Sequence, residues 1–424
     1  MGRAYTGCWG WYQSEKNKEY AIVGGSNGTY FIDVSDPYHP IVRAFVSGKP
    51  HCNWREIKTY KNFCYIASDD VSPNTFQIVD MSSLPSTVTL VYNGTDLFEK
   101  GHTLWIDQDH LYVGSVSYST QGAYSAMNIY SLEDPASPRF LRSLNSDCSF
   151  LNAVHDMHVK NDTVFASCGQ KGMFVFKYDK GNNVFTQIGS YADYSGPIAN
   201  HSSFLTQNGK YLVFTDEAES APIKVVRVEN LQNIQPVTEF IPHPKTTPHN
   251  AYLLGNEWAI ISCYQDGLFV YNISDPNFPV LSGWYDTYAE GGFNAKEYAH
   301  DKYMGNWGAY PFLPSGIIIA VDIKNGLFLL NADPLFKQVS PEKNLLSEIS
   351  IYPNPSQEKI IVNCPVLQNY SLTITNSEGN KIAEYSSRKK NYEEIDISFL
   401  KTGVYSVLFQ SNGYSKTEKL VINH

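Results

Sequence analysis

The feature that most constrains this fold is a repeat. Segments opening at Trp9, Trp54, His102, His155, His201, His249 and Trp307 follow one another at roughly 45–55 residues, the length of one four-stranded propeller blade. In four of them a His starts a short apolar run, a polar turn follows, and a second apolar run ends at Ser115, Ser167, Thr215 or Ser262. The chain has only 11 histidines in 424 residues, so four at one phase of a repeat are more than a scatter.

Each segment predicts strands. In 20–37, 258–276 and 317–334, a Gly-containing hairpin turn separates two runs rich in β-branched and aromatic residues. Asp36–Pro37, Asp134–Pro135, Asp275–Pro276 and Asp333–Pro334 then close the third strand. Proline removes a ladder donor there and turns the chain out of the sheet. PIVRAFVSG, PRFLRSLN, QPVTEFI and PVLSGWYD supply a fourth, edge strand. A helical period is almost absent before residue 334, and a sandwich does not repeat its strand order seven times. We therefore expect an all-β chain: a seven-bladed β-propeller over residues 1–334, a polar linker at 335–346, and a small β-sandwich over 347–424.

Composition excludes some functions. A net charge of -10 provides no basic face for nucleic acid. No apolar run reaches the roughly 18 residues of a membrane helix. Seven cysteines leave at least one thiol unpaired within the chain. Cys64, Cys168 and Cys263 read as small buried hydrophobes, while Cys8 and Cys52, at matching positions before Trp9 and Trp54, raise the option of a disulfide.

The runs NGTYFIDVSDP, NWREIKTYKNFCYIAS, QDGLFVYNISDP and NWGAYPFLPSGIIIAVDIKNGLFLL resemble the LVIVD-repeat propellers called choice-of-anchor B proteins, over residues 7–334. The resemblance implies a secreted or surface-attached propeller. Members carry a signal peptide and a strand before the WGW motif; here MGRAYTG stands in that place. We expect the natural start to lie upstream, or residues 335–339 to close the ring instead. Residues 347–424 resemble the C-terminal sorting domain of type IX secretion substrates of Bacteroidota. Tyr352-Pro353-Asn354-Pro355, Ser377-Glu378-Gly379 and Leu400-Lys401-Thr402-Gly403-Val404-Tyr405 carry that likeness. It implies the type IX machinery as a partner and a secreted or outer-surface location.

In a propeller the first strand of each blade lines a central channel, and loops at one end form the usual binding surface. The repeat phase puts His102, His155, His201 and His249 at the channel entrance on four consecutive blades, with Trp9, Trp54–Arg55 and Trp307 in that place on the others. Converging neutral imidazoles suit a divalent transition metal. The same residues can equally cap strands around a wet mouth. Alternation counted from His155 turns Asp156 and His158 away from the channel. Arg55 offers a bidentate contact to an anion, or a partner for Glu56 or Asp69. Asp216, Glu217 and Glu219 read as a solvated loop in which Glu217 is the strongest functional candidate; Asp69–Asp70 and Asp322 hold the corresponding place elsewhere. The long loop 286–305, with Tyr288, Phe293, Tyr298, His300 and Tyr303, is a candidate lid or partner surface. GxSxG, P-loop, HExxH and Rossmann motifs are absent. The favoured reading is a module that binds an extracellular ligand or protein at the mouth. The alternative is a metal-dependent hydrolase or oxidoreductase using the same histidines.

Overall fold

The computed structural model describes residues 5–118, 123–196, 198–292, 294–295, 298, 303–336, 350–363, 369–388, 392–411 and 414–424. It divides into two units, Met1–Asp333 and Pro334–His424.

The first unit is a ring of seven antiparallel sheets, six of four strands and, among the described residues, a last one of three. Each blade pairs its strands in sequence order, so every connection within a blade is a hairpin. The inner strands are Tyr5–Gln13, Arg55–Tyr60, Thr103–Asp107, Asp156–Lys160, Asn200–Leu205, Ala251–Leu254 and Asn306–Tyr310. The outer ones include Ile41–Ser47, Arg139–Ser143, Gln235–Phe240 and Val280–Tyr285, where the edge strands were expected. Ahead of them the Asp-Pro pairs act as turn makers: the Asp36, Asp134 and Asp275 carboxylates accept from Tyr38 N, Ala136 N and Asn277 N.

The core lies between blades rather than inside one. Trp11, Tyr20, Ile22 and Phe31 of blade 1 pack on Ile57, Cys64, Ile66 and Val79 of blade 2, and similar clusters join blades 2 to 3, 3 to 4, 4 to 5 and 5 to 6. The ring closes by the same means. Cys8, Ala21, Val23, Ile32 and Val34 of blade 1 pack on Leu313, Ile317, Ile319 and Val321 of blade 7. Tyr5 N donates to Ile323 O at 3.1 Å, and Ser315 N donates to Glu19 Oε1 at 2.7 Å. No fourth strand is seen on blade 7 among the described residues. Leu335 and Phe336 lie in a helical turn, Asp333–Phe336, and 337–339 fall outside the described residues.

The second unit has a three-stranded sheet (Ser350–Tyr352, Lys359–Asn363, Tyr392–Asp396) and a four-stranded one (Asn369–Thr375, Lys381–Arg388, Gly403–Ser411, Tyr414–Ile422). Ile360, Val362 and Ile395 from the first share one apolar cluster with Leu372, Ile374, Val407, Phe409 and Leu420 from the second, which makes the unit a small sandwich.

All described cysteines are free, Cys8 and Cys52 included, so the disulfide option is not realised. The Cys52 thiol instead donates to Trp54 O at 3.1 Å; Cys364 lies outside the described residues.

Candidate functional site

The repeat fixes the histidines through their backbone. His102 N, His155 N and His249 N donate to the carbonyls of Gly114, Ser167 and Ser262, in the second strand of their own blades. The closing hydroxyls then reach the next blade: Ser115 Oγ donates to Val154 O at 3.0 Å, and Thr215 Oγ1 donates to His249 O. Each imidazole is thereby held where the chain enters an inner strand.

The four rings form a continuous arc. Neighbouring centroids lie 4.2 Å apart for His102 and His155, 4.4 Å for His155 and His201, and 4.3 Å for His201 and His249. Trp307 continues the arc 4.8 Å from His249. Above it opens a mouth cavity of about 640 Å³, walled by Trp54, Asp69, Asp70, Glu217, Tyr264, Tyr303 and Trp307. No lysine or arginine lines this mouth among the described residues. Below it lies a chamber of only about 40 Å³ that Glu56, Lys58, Thr103 and Asp156 share with the histidines.

The imidazoles differ in their partners. His102 Nδ1 lies 2.7 Å from Asp69 Oδ2, and His249 Nδ1 bonds the carbonyl of Trp307. A carbonyl only accepts, so His249 carries its proton on Nδ1 and a lone pair on Nε2. Burial lowers the pKa of His102, but the hydrogen bond and charge of Asp69 outweigh it, leaving it above the ordinary histidine value. Burial, and after it the neighbouring His201, hold His249 well below that value. His155 is lowered in the same way by burial and then by the other three rings. His155 and His201 make no ring hydrogen bond among the described residues, and their Nδ1 atoms are buried without a partner.

Carboxylates face this arc. Glu217 Oε2 stands 3.7 Å from His201 Nε2, and the Tyr264 hydroxyl donates to Glu217 Oε1. Tyr264 sits in the left-handed region at φ 40°, which bulky residues avoid. Asp70 accepts from Asn53 N at 2.8 Å and Val71 N at 2.7 Å. Its desolvation is outweighed by these bonds and by Lys49 and Lys100, so its pKa falls below the usual carboxylate range.

Several sequence expectations need correction. Asp156 and His158 do face the channel. The inner strand starts at Asp156, so alternation runs from there and not from His155. Asp156 lines the small chamber and accepts from Thr103 Oγ1 at 2.9 Å. His158 joins a lower aromatic tier: its ring is 4.8 Å from Trp105 and 4.3 Å from Phe204, and the tier continues through Tyr252, Phe312, Tyr310 and Trp9. Trp9 therefore sits deep in the channel rather than at its entrance. Arg55 is buried and tied to the fold: Nε donates to Gly25 O at 2.8 Å, Nη1 to Ser68 Oγ at 3.1 Å and Nη2 to Lys49 O at 2.5 Å. It joins blade 1 to blade 2 and also lines the small chamber. Asp216 is not solvated either; fully buried, it accepts from Tyr194 Oη, Ala199 N and Lys224 Nζ, each at 2.8 Å. Asp322 similarly caps its own hairpin through Lys324 N and Asn325 N. Of the long loop, Tyr303 reaches the mouth and Tyr298 bonds His243, while Phe293 and His300 lie outside the described residues. The sequence reading missed Tyr264. Its signal was present, because Asp70, Glu217 and Tyr264 each stand two places after a Ser or Thr at or next to the end of a second strand: Ser68, Thr215 and Ser262.

Fold and site together define a seven-bladed β-propeller with a histidine-floored mouth, followed by a separate β-sandwich. The LVIVD repeat model matches residues 53–96 and 255–287, and the secretion system C-terminal sorting domain model matches 350–423. The chain thus carries LVIVD repeats within its propeller and a type IX sorting domain as its sandwich, and the sorting domain indicates export to the cell surface or the medium. No helix of the described residues is long and apolar enough to cross a membrane. No curated protein matches the sequence. Among solved structures, a putative 6-phosphogluconolactonase from Bacteroides uniformis is similar at 9% identity and TM-score 0.51, over 88% of this chain and 96% of that one. This likeness concerns the fold alone. PorZ, a surface component of the type IX secretion system of Porphyromonas gingivalis, is similar at 12% identity and TM-score 0.42, over 96% of this chain; the chain spans 64% of that structure's length.

Proposed function

We propose that the propeller is a binding module whose mouth takes a neutral or cationic polar ligand outside the cell. One observation carries this reading: a cavity of about 640 Å³, within the size range of small-molecule sites, floored by imidazoles and walled by aromatic rings and carboxylates. Aromatic faces attract cations and pack against apolar faces of neutral ligands. Asp69, Asp70 and Glu217, with no lysine or arginine among the lining residues, repel anions. The sorting domain supports an extracellular setting for that ligand.

The test is a thermal-shift panel on the full chain in chelating buffer, with maltose as a neutral probe, choline as a cation, and phosphate and citrate as anions. The neutral or cationic probe is expected to raise Tm, with the shift lost in Trp54→Ala and reduced in Asp70→Asn. A preference for the anions, or shifts untouched by both variants, would contradict the proposal.

A further inference from the structure

We infer that His155, His201 and Glu217 hold one divalent first-row transition metal ion, of the zinc class, at the floor of the mouth. The site refines the binding function proposed above and rests on it for its setting, but it stands on its own donor atoms.

The repeat suggested four histidines as ligands. The atoms that converge are a different set. One donor from each of His155, His201 and Glu217 lies within 4.8 Å of the other two. Two donors held about 2.1 Å from a tetrahedral ion stand about 3.4 Å apart, and His201 Nε2 to Glu217 Oε2 is already 3.7 Å. That pair needs only a few tenths of an ångström, and the widest pair of the set, within 4.8 Å, closes by side-chain rotation of at most about 1.4 Å. His102 and His249 stand at opposite ends of the arc and do not belong to this convergent set.

Partners separate the two kinds of histidine. His102 and His249 are satisfied at Nδ1 by Asp69 and by the Trp307 carbonyl. His155 and His201 have no ring hydrogen bond among the described residues, although His201 is only 5% exposed. Neither ring therefore has its lone pair taken by a protein donor among the described residues, which leaves one nitrogen of each neutral imidazole open to a metal ion. Glu217, in turn, is oriented by the Tyr264 hydroxyl on its other oxygen, the outer support that metal-binding carboxylates have. Asp69 and Asp70 nearby add negative charge that favours a cation. Two imidazoles and one carboxylate suit zinc, cobalt, nickel or iron rather than calcium or magnesium, which prefer all-oxygen shells. Three protein donors leave at least one coordination position toward the mouth, where a ligand's oxygen or nitrogen can bind.

The experiment is titration of the tag-free full chain, stripped with chelator, with cobalt(II) followed by zinc(II) competition. One equivalent of cobalt is expected to produce visible d–d absorption that one equivalent of zinc displaces. Glu217→Gln is expected to weaken binding, and Tyr264→Phe by about 10–100-fold; His155→Ala/His201→Ala abolishes it, and the exposed His39→Ala leaves it unchanged. Absence of a d–d band in the wild-type chain overturns the site whatever the variants do. So does an affinity equal to wild type in well-folded Glu217→Gln. If the metal fails while maltose or choline still shifts Tm through Trp54, the mouth remains a binding site and only the metal falls. If cobalt binds as described and no probe responds, the metal site stands without the broader reading.

Discussion

At the scale of single residues, the phase of the four histidines was fully legible, because a repeat copies position as well as composition. What a linear reading missed was where the inner strand begins. Counting from His155 turned Asp156 and His158 outward; the strand starts one residue later and faces both inward. His158 is the informative case. Both ring nitrogens are buried without a partner among Trp105, Phe204 and Phe165, and burial first, then Lys160, pushes its pKa down to about 3. It stays neutral at physiological pH, yet its polar atoms gain nothing from the site. His158→Phe is therefore expected to stabilise the propeller by about 1–3 kcal/mol, the cost of an unsatisfied buried group, read as a higher urea midpoint with unchanged slope; a lower midpoint would mean that a partner is engaged there. Lys224 is the opposite. Its ammonium and the Asp216 carboxylate are 2% and 0% exposed and 2.8 Å apart. Lys224→Met strands a buried charge and should cost about 3–5 kcal/mol, whereas a loss below about 1 kcal/mol would show the pair to be solvated.

At the scale of elements, hairpins, Asp-Pro turns and edge strands were readable from Gly, Pro and β-branched residues because each acts locally. The bonds that join one blade to the next were not. The closing Ser and Thr of the second strands stood out as a pattern, but only the fold shows that Ser115 and Thr215 donate to carbonyls of the following blade. Thr215→Val keeps the shape and removes the donor, leaving the buried His249 carbonyl short of a partner. The expected loss is about 1–3 kcal/mol, with weaker ligand binding because His249 loses its anchor. Equal stability and equal binding in this variant would show the bond to be incidental. Arg55 teaches the same lesson, since nothing linear announces that its guanidinium is tied to Gly25 O, Ser68 Oγ and Lys49 O.

At the scale of the whole molecule, seven blades followed from seven repeats, and the manner of closure did not. Here packing between blades 1 and 7 and the Tyr5–Ile323 bond join the ends. Gly7 shows how tight the fit between the first inner strands is: its φ is +70°, and a Cβ would lie 1.9 Å from Arg55 O. Gly7→Ala adds that clash to a left-handed backbone worth about 1–3 kcal/mol of strain. It should lower Tm sharply, and a Tm within a degree of wild type would mean that blades 1 and 2 pack loosely. Whether the mouth is organised around ion and ligand binding is tested most directly by diffraction from crystals of the full chain soaked in zinc, collected across the zinc absorption edge. A single anomalous peak about 2.1 Å from donors of His155, His201 and Glu217 is the expected result. A well-ordered mouth with no peak, or zinc bound only at surface histidines such as His39, would contradict it.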